Sequence, residues 1–149
     1  MLLSNFCTLD VACCTPRTTI FEAAQLMRKK HTGDLVVVED DQERLEPLGV
    51  ITDRDIVVEV LAKGLDPSTT LVSSVVHSPV VIAREEEDST VALERMKAHG
   101  VRRIPVVGSR GKLTGIVTVD DMMKRLAQEA NALTEIVSRE QRQEERGRR

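Results

Sequence analysis

Gly115-Ile116-Val117-Thr118-Val119-Asp120-Asp121 is a near copy of Gly49-Val50-Ile51-Thr52-Asp53-Arg54-Asp55. Both stretches read Gly, two β-branched aliphatics, Thr, two variable residues and Asp, and they stand 66 residues apart. That interval suits one small α/β unit and is far too long for a helical or collagen period. Units of roughly 60 residues are marginal alone, so the 149 residues are read as two half-sized units sharing a core.

Outward from the first copy, residues 48–52 pair with the β-branched run Leu35-Val36-Val37-Val38 as a hairpin. The acidic stretch Glu39-Asp40-Asp41-Gln42-Glu43 forms its exposed turn. Downstream, Asp53 or Asp55 caps a helix with apolar positions Ile56, Val57, Val60 and Leu61, stopping at Gly64. Val57 and Val58 are poor helix formers, so that helix depends on burying a face. Ahead of the hairpin, Thr18 or Thr19 caps another helix, with Glu22 at capping-box spacing from Thr19. Ile20, Ala23, Ala24, Met27 and His31 recur along it at helical intervals, and Gly33 is read as its terminator. Val11, Ala12, Cys13 and Cys14 before Pro16 predict a short opening strand.

The second half replays this plan. Val80-Val81-Ile82 stands for the short strand, residues 88–99 for the helix before Gly100, and residues 103–107 and 113–118 for the hairpin around a turn at 108–112. Asp120 or Asp121 opens the last helix through Met122, Met123, Leu126 and Ala127. Ala92 and Met96 follow Ala23 and Met27 by 69 residues, and the drop from 69 to 66 falls in the hairpin turn, where deletions cost least. Residues 65–77 link the halves through one or two helical turns carrying Leu71, Val72, Val75 and Val76. After Ala127, the positions Ala130, Leu133, Ile136 and Val137 extend an apolar stripe that needs a covering surface, either the body or a second copy.

Composition narrows the function. Hydrophobic residues at 41% and charged residues at 30% are those of a soluble globular protein, and no apolar run approaches the length of a membrane helix. Residues 1–10 lack the features of a signal peptide, so a cytoplasmic location is the expectation. Cys7, Cys13 and Cys14 form no Cys-x-x-Cys pair, and His31, His77 and His99 are scattered, so reduced thiols and no metal site are expected. A net charge of −3 offers no broad attraction to nucleic acid. Five Arg against three Glu in residues 139–149 are read as a solvated helix or frayed end. With Phe6 and Phe21 the only aromatics, a planar ligand would be held by aliphatic walls and backbone groups.

The doubled Gly-h-h-Thr-x-x-Asp signature and Val101-Arg102-Arg103-Ile104-Pro105-Val106-Val107 resemble the cystathionine-β-synthase (CBS) domain family across about residues 8–128. The resemblance implies an α/β fold of tandem CBS repeats, β-α-β-β-α each, packed through their sheets with pseudo-two-fold symmetry. The expected division is repeat 1 at 8–64, a linker at 65–77, repeat 2 at 78–128 and a charged helical tail at 129–149. The family is commonly dimeric and binds adenosine nucleotides between repeats, which implies a homodimer and a regulatory ligand such as AMP, ADP, ATP, NAD or S-adenosylmethionine. Asp55 and Asp121 would accept ribose hydroxyls, with Thr52 and Thr118 near the sugar or phosphate. Arg102 and Arg103 would reach phosphate. The base would lie against Cys13, Cys14 and Thr15 in one cleft and Val81, Ile82 and Ala83 in the other.

The two repeats depart from each other. Repeat 1 has Asp34-Leu35-Val36 where repeat 2 has Arg103-Ile104-Pro105, and Thr15-Pro16 where repeat 2 has Arg84-Glu85. A single phosphate is therefore expected near Arg102 and Arg103, with the choice between Asp55 and Asp121 open. The bland reading of both Thr–Asp pairs is helix capping, which is compatible with ligand binding. For Arg102 and Arg103 it is a surface ion pair. The expected function is a ligand-sensing module; the alternative is a ligand-free dimerisation or interaction module using the C-terminal stripe. No nucleophile-and-base arrangement or Gly-rich phosphate loop points to an enzyme.

Overall fold

The β-branched run expected as a strand is buried on both faces, and this explains its lack of polar alternation. In the computed structural model, which describes residues 1–41, 44–77 and 79–148, β2 (Asp34–Asp41) runs between β1 (Cys13–Cys14) and β3 (Arg44–Thr52). Leu35 and Val37 face a core formed with Ile20, Ala23 and Met27 of α1 (Ile20–Lys30). Val36 and Val38 face the opposite way, onto Leu113 and Ile116 of the second repeat. That second contact joins the repeats sheet to sheet, as the sequence implied.

The second sheet copies the first. Here β5 (Arg103–Val107) lies between β4 (Ala83–Arg84) and β6 (Leu113–Thr118), with one parallel and one antiparallel pairing, as in β1-β2-β3. Ile104, Val106 and Val117 pack with Ala92 and Met96 of α3 (Ser89–His99). The short strand expected at Val80-Val81-Ile82 falls instead on Ala83–Arg84, because Val106 and Val107 are the residues that pair with it. Of the acidic stretch expected as the exposed turn of repeat 1, Glu39, Asp40 and Asp41 instead continue β2, paired with Glu46, Leu45 and Arg44, and Gln42 and Glu43 lie outside the described residues.

Helix ends required three corrections. Thr19 caps α1 in the expected box with Glu22, but the chain turns left-handed at His31 (φ 52°), two residues before Gly33. Gly33 serves a different need: a Cβ there would stand 2.9 Å from Asp53 Oδ2. Thr52, rather than either aspartate, is the N-cap of α2 (Asp53–Asp55), which widens into a π-helical stretch at Ile56–Leu61 before Gly64. Likewise Thr118 caps α4 (Val119–Gly147), and the charged tail continues that single helix.

The repeats are interleaved by the residues ahead of repeat 1 and by the segment expected as a linker. A 3₁₀ turn at Leu3–Asn5 packs on repeat 2, with the Leu3 N–H donating to the Glu87 carbonyl at 3.0 Å and Leu3 fully buried. A matching turn at Val72–Ser74 packs on repeat 1, with the Val72 N–H donating to the Thr18 carbonyl at 2.8 Å. Each segment thus leads into one repeat while covering the other. Their continuations cross the signature glycines closely: a Cβ on Gly49 would stand 2.4 Å from Val76 Cγ2, and one on Gly115 2.8 Å from Cys7 Sγ. That crossing is why the signature begins with a residue lacking a side chain.

Candidate functional site

Each signature ends a strand and starts a helix, which fixes its Thr and Asp before any ligand is considered. In repeat 1 the Thr52 N–H donates to Asp55 Oδ2 at 2.9 Å and the Asp55 N–H returns a bond to Thr52 Oγ1 at 3.1 Å. Repeat 2 has the same box, with the Thr118 N–H 2.9 Å from Asp121 Oδ2 and the Asp121 N–H 3.1 Å from Thr118 Oγ1. Capping consumes one oxygen of each carboxylate and leaves the other for a second partner. The boxes differ in one proton: the Thr118 hydroxyl donates to Asp121 Oδ2 at 2.9 Å. Among the described residues the Thr52 hydroxyl has no acceptor, so it can donate to a ligand.

Thr52 and Asp55 open onto a cavity of about 430 Å³ between the repeats. Its apolar wall includes Val50, Val80, Val81 and Val101, and its charged rim carries Arg54, Arg102 and Arg103. His77 stands at the edge, its Nε2 4.0 Å from Asp55 Oδ1. Volume and lining suit a ligand with one flat apolar part and one polar or anionic part, held without aromatic stacking.

The predicted residues are divided by this geometry. Thr52, Asp55, Arg102, Arg103 and Val81 line the same cavity. Thr118 and Asp121 do not; Asp121 lies near Cys7, whose thiol is pushed up in pKa chiefly by burial and secondarily by the charges of Glu85 and Asp121. Arg102 and Arg103, which belong to the same repeat as Asp121, thus face the other repeat's aspartate. Arg103 also ion-pairs with Asp34, while Arg102 reaches Asp120 at 3.6 Å in an exposed contact.

Of the six residues expected beside a base, Val81 lines this cavity while Ile82 and Ala83 of the same stretch do not; Cys13, Cys14 and Thr15, expected in the other cleft, do not line it either. Cys14 and Ala83 are buried in the two cores, so their side chains are not available to a ligand. Burial raises the Cys14 thiol to about 12, which leaves it protonated and unreactive at neutral pH. The Thr15 N–H is taken by Thr18 Oγ1 at 3.1 Å, and the Ile82 carbonyl accepts from Arg95 Nη1 at 2.9 Å. The sequence reading missed His77, Val80 and Val101. Periodicity carries no sign of them, because His77 reaches Asp55 from the linker, and Val80 and Val101 line the same cavity from the second repeat.

The same two-fold plan appears in known proteins: residues 3–62 and again 72–128 match the CBS domain family. The chain belongs to the CBS-domain family. Hypoxic response protein 1 of Mycobacterium tuberculosis is 38% identical over 120 residues, covering 80% of this chain and 81% of that one. A crystal structure of Hypoxic Response Protein I with two coordinated zinc ions superposes with a TM-score of 0.72 at 34% identity, over 83% of this chain and 98% of that one. A CBS domain protein from Pyrobaculum aerophilum, complexed with AMP, gives a TM-score of 0.71 at 25% identity, over 81% and 89% of the two chains. An uncharacterised protein of Methanopyrus kandleri is 36% identical over 115 residues, which are 77% of this chain but 57% of that protein. Among the described residues of this CBS pair, no group of three His, Cys, Asp or Glu side chains is placed to hold a metal ion, and no helix is long and apolar enough to cross a membrane.

Proposed function

We propose that this CBS pair is a regulatory module that binds an adenosine ligand in the cavity between its repeats and relays occupancy to a partner or to a second copy. One observation carries the reading: Thr52 and Asp55 of repeat 1 share a cavity with Arg102 of repeat 2. The ribose hydroxyls donate to the Asp55 oxygen not used by the cap, the base lies against Val80, Val81 and Val101, and a phosphate is met by Arg102. The AMP complex of the Pyrobaculum relative supports this class of ligand. Candidates are AMP, ADP, ATP, NAD and S-adenosylmethionine. Isothermal titration of the purified chain with each of them tests the reading: saturable heat with at least one is expected, and absence of heat and of thermal shift with all five rejects it.

A second reading, a protein-interaction module, is favoured by α4. Leu126, Leu133, Ile136 and Val137 are all exposed on it, and α4 has no buried residue. Truncation after Ala127 separates the two. Loss of self-association or of a captured partner, with ligand heat absent throughout, favours the interaction module; retained ligand binding by the truncated chain favours the sensor.

A further inference from the structure

Asp34 and Arg103 stand 69 residues apart, at equivalent positions that open β2 and β5, and they ion-pair with each other. The contact therefore straddles the pseudo-two-fold relation between the repeats. Side-chain exposure is 16% for Asp34 and 28% for Arg103, so solvent screens this pair less than Arg102–Asp120, at 71% and 67%. The Thr32 hydroxyl donates to Asp34 Oδ1 at 3.1 Å, fixing the carboxylate from its own side. Arg103 meanwhile lines the cavity that holds Asp55, Arg102 and His77. A guanidinium has five N–H donors, and the ion pair engages Nη1.

We propose that Asp34 is a specificity-determining residue of the cleft: it shares Arg103 with the anionic end of the ligand and so weakens the cleft's hold on phosphate. This rests on the cleft binding an adenosine ligand. A phosphate entering the cavity meets one arginine whose charge is already offset by a fixed, half-buried carboxylate. Removing that carboxylate's charge strengthens recognition of the phosphate and leaves recognition of the nucleoside unchanged.

Titration of the full chain with adenosine and with AMP tests this on the wild type, on Asp34→Asn and on Asp34→Asn/Arg103→Gln. Asparagine keeps an oxygen for the Thr32 hydroxyl but loses the charge, and the double variant removes the shared guanidinium without stranding a lone charge. The expected result is AMP affinity raised about fivefold in Asp34→Asn with adenosine affinity unchanged, and AMP affinity below wild type in the double variant. An AMP-to-adenosine affinity ratio that stays the same or falls in Asp34→Asn overturns the proposal. If Asp34→Asn loses adenosine too, the double variant decides: a ratio equal to wild type overturns the proposal, and a lower ratio upholds it. A wild-type chain that binds neither adenosine nor AMP overturns this inference; the functional reading is rejected only when ADP, ATP, NAD and S-adenosylmethionine fail as well.

Discussion

Asp55 and Asp121 close the same capping box with Thr52 and Thr118, but they look out on different surroundings. Opposite Asp55 stand Arg102 and Arg103, with His77 beside it. At the corresponding sequence positions of the other half are Gly33, Asp34 and Thr8. The Thr–Asp signature therefore specifies a strand end, a helix start and a carboxylate with one oxygen to spare. Charge comes from the facing repeat, so two identical signatures need not offer a ligand the same site.

The sharpest way to break this comparison is to ask whether the halves are independent at all. Leu35 and Ile104 are equivalent, fully buried core residues. Truncating either to Ala is expected to cost about 2–5 kcal/mol. In urea, each substitution should shift one common transition; two separate transitions, with only one displaced, would show that the repeats unfold alone. Next in size is the ligand contrast. Asp55→Asn keeps an oxygen for the Thr52 N–H but loses charge, and should weaken AMP binding by about 1–3 kcal/mol in titration calorimetry. Asp121→Asn should leave it within error, and equal losses would mean that the clefts are not distinguished by the arginines.

A third difference lies where α1 and α3 end. His31 adopts φ 52° at the position where Gly100 adopts φ 63° in the other repeat. A left-handed residue with a Cβ costs about 1 kcal/mol relative to Gly, so His31→Gly should raise the thermal midpoint, whereas Gly100→His should lower it. The smallest effect concerns the turns before these helices. Repeat 2 pins its turn with Arg95 on Glu87, at 2.6 and 2.7 Å, where repeat 1 uses the hydroxyls of Thr15 and Thr18. The Arg95 hydrogen bonds hold the Glu87 carboxyl below its ordinary range. A depressed folded-state pKa contributes stability above the unfolded value, about pH 4.5, and loses it as pH falls further. Because solvent screens the pair, Arg95→Gln should remove less than about 1 kcal/mol at pH 7. That difference should shrink in melts below about pH 4.5; a constant difference would assign the effect to the Ile82 carbonyl bond instead.

The sequence made the fold largely readable because two independent copies agreed. Ala23 with Ala92, Met27 with Met96, and the paired Thr–Asp boxes all fell where the spacing placed them. Local chemistry explains those successes: caps, hairpins and core stripes are decided within a few residues. Helix stops were harder to read. Gly33 is a plausible terminator by type, but the left-handed turn fell on His31, and Gly33 is needed for its small size beside Asp53. At the cleft, Thr52, Asp55, Arg102 and Arg103 were legible as chemistry. The Asp34 partnership was not, because no periodicity brings a residue onto its own repeat equivalent; only the packing of the two sheets does that. For the same reason Leu3 gave no sign of being core. Its contacts are with Glu87 and the second repeat, more than eighty residues away in the chain.

The exchange of the two 3₁₀ turns bears on how such a chain can be divided. A fragment ending at Gly64 carries Leu3 with no repeat 2 to receive it and lacks the Val72 turn that covers α1. A fragment beginning there has the reverse defect. Each piece presents an uncovered groove and a plug with nothing to fill, so the boundary between the repeats in sequence is not a boundary in packing.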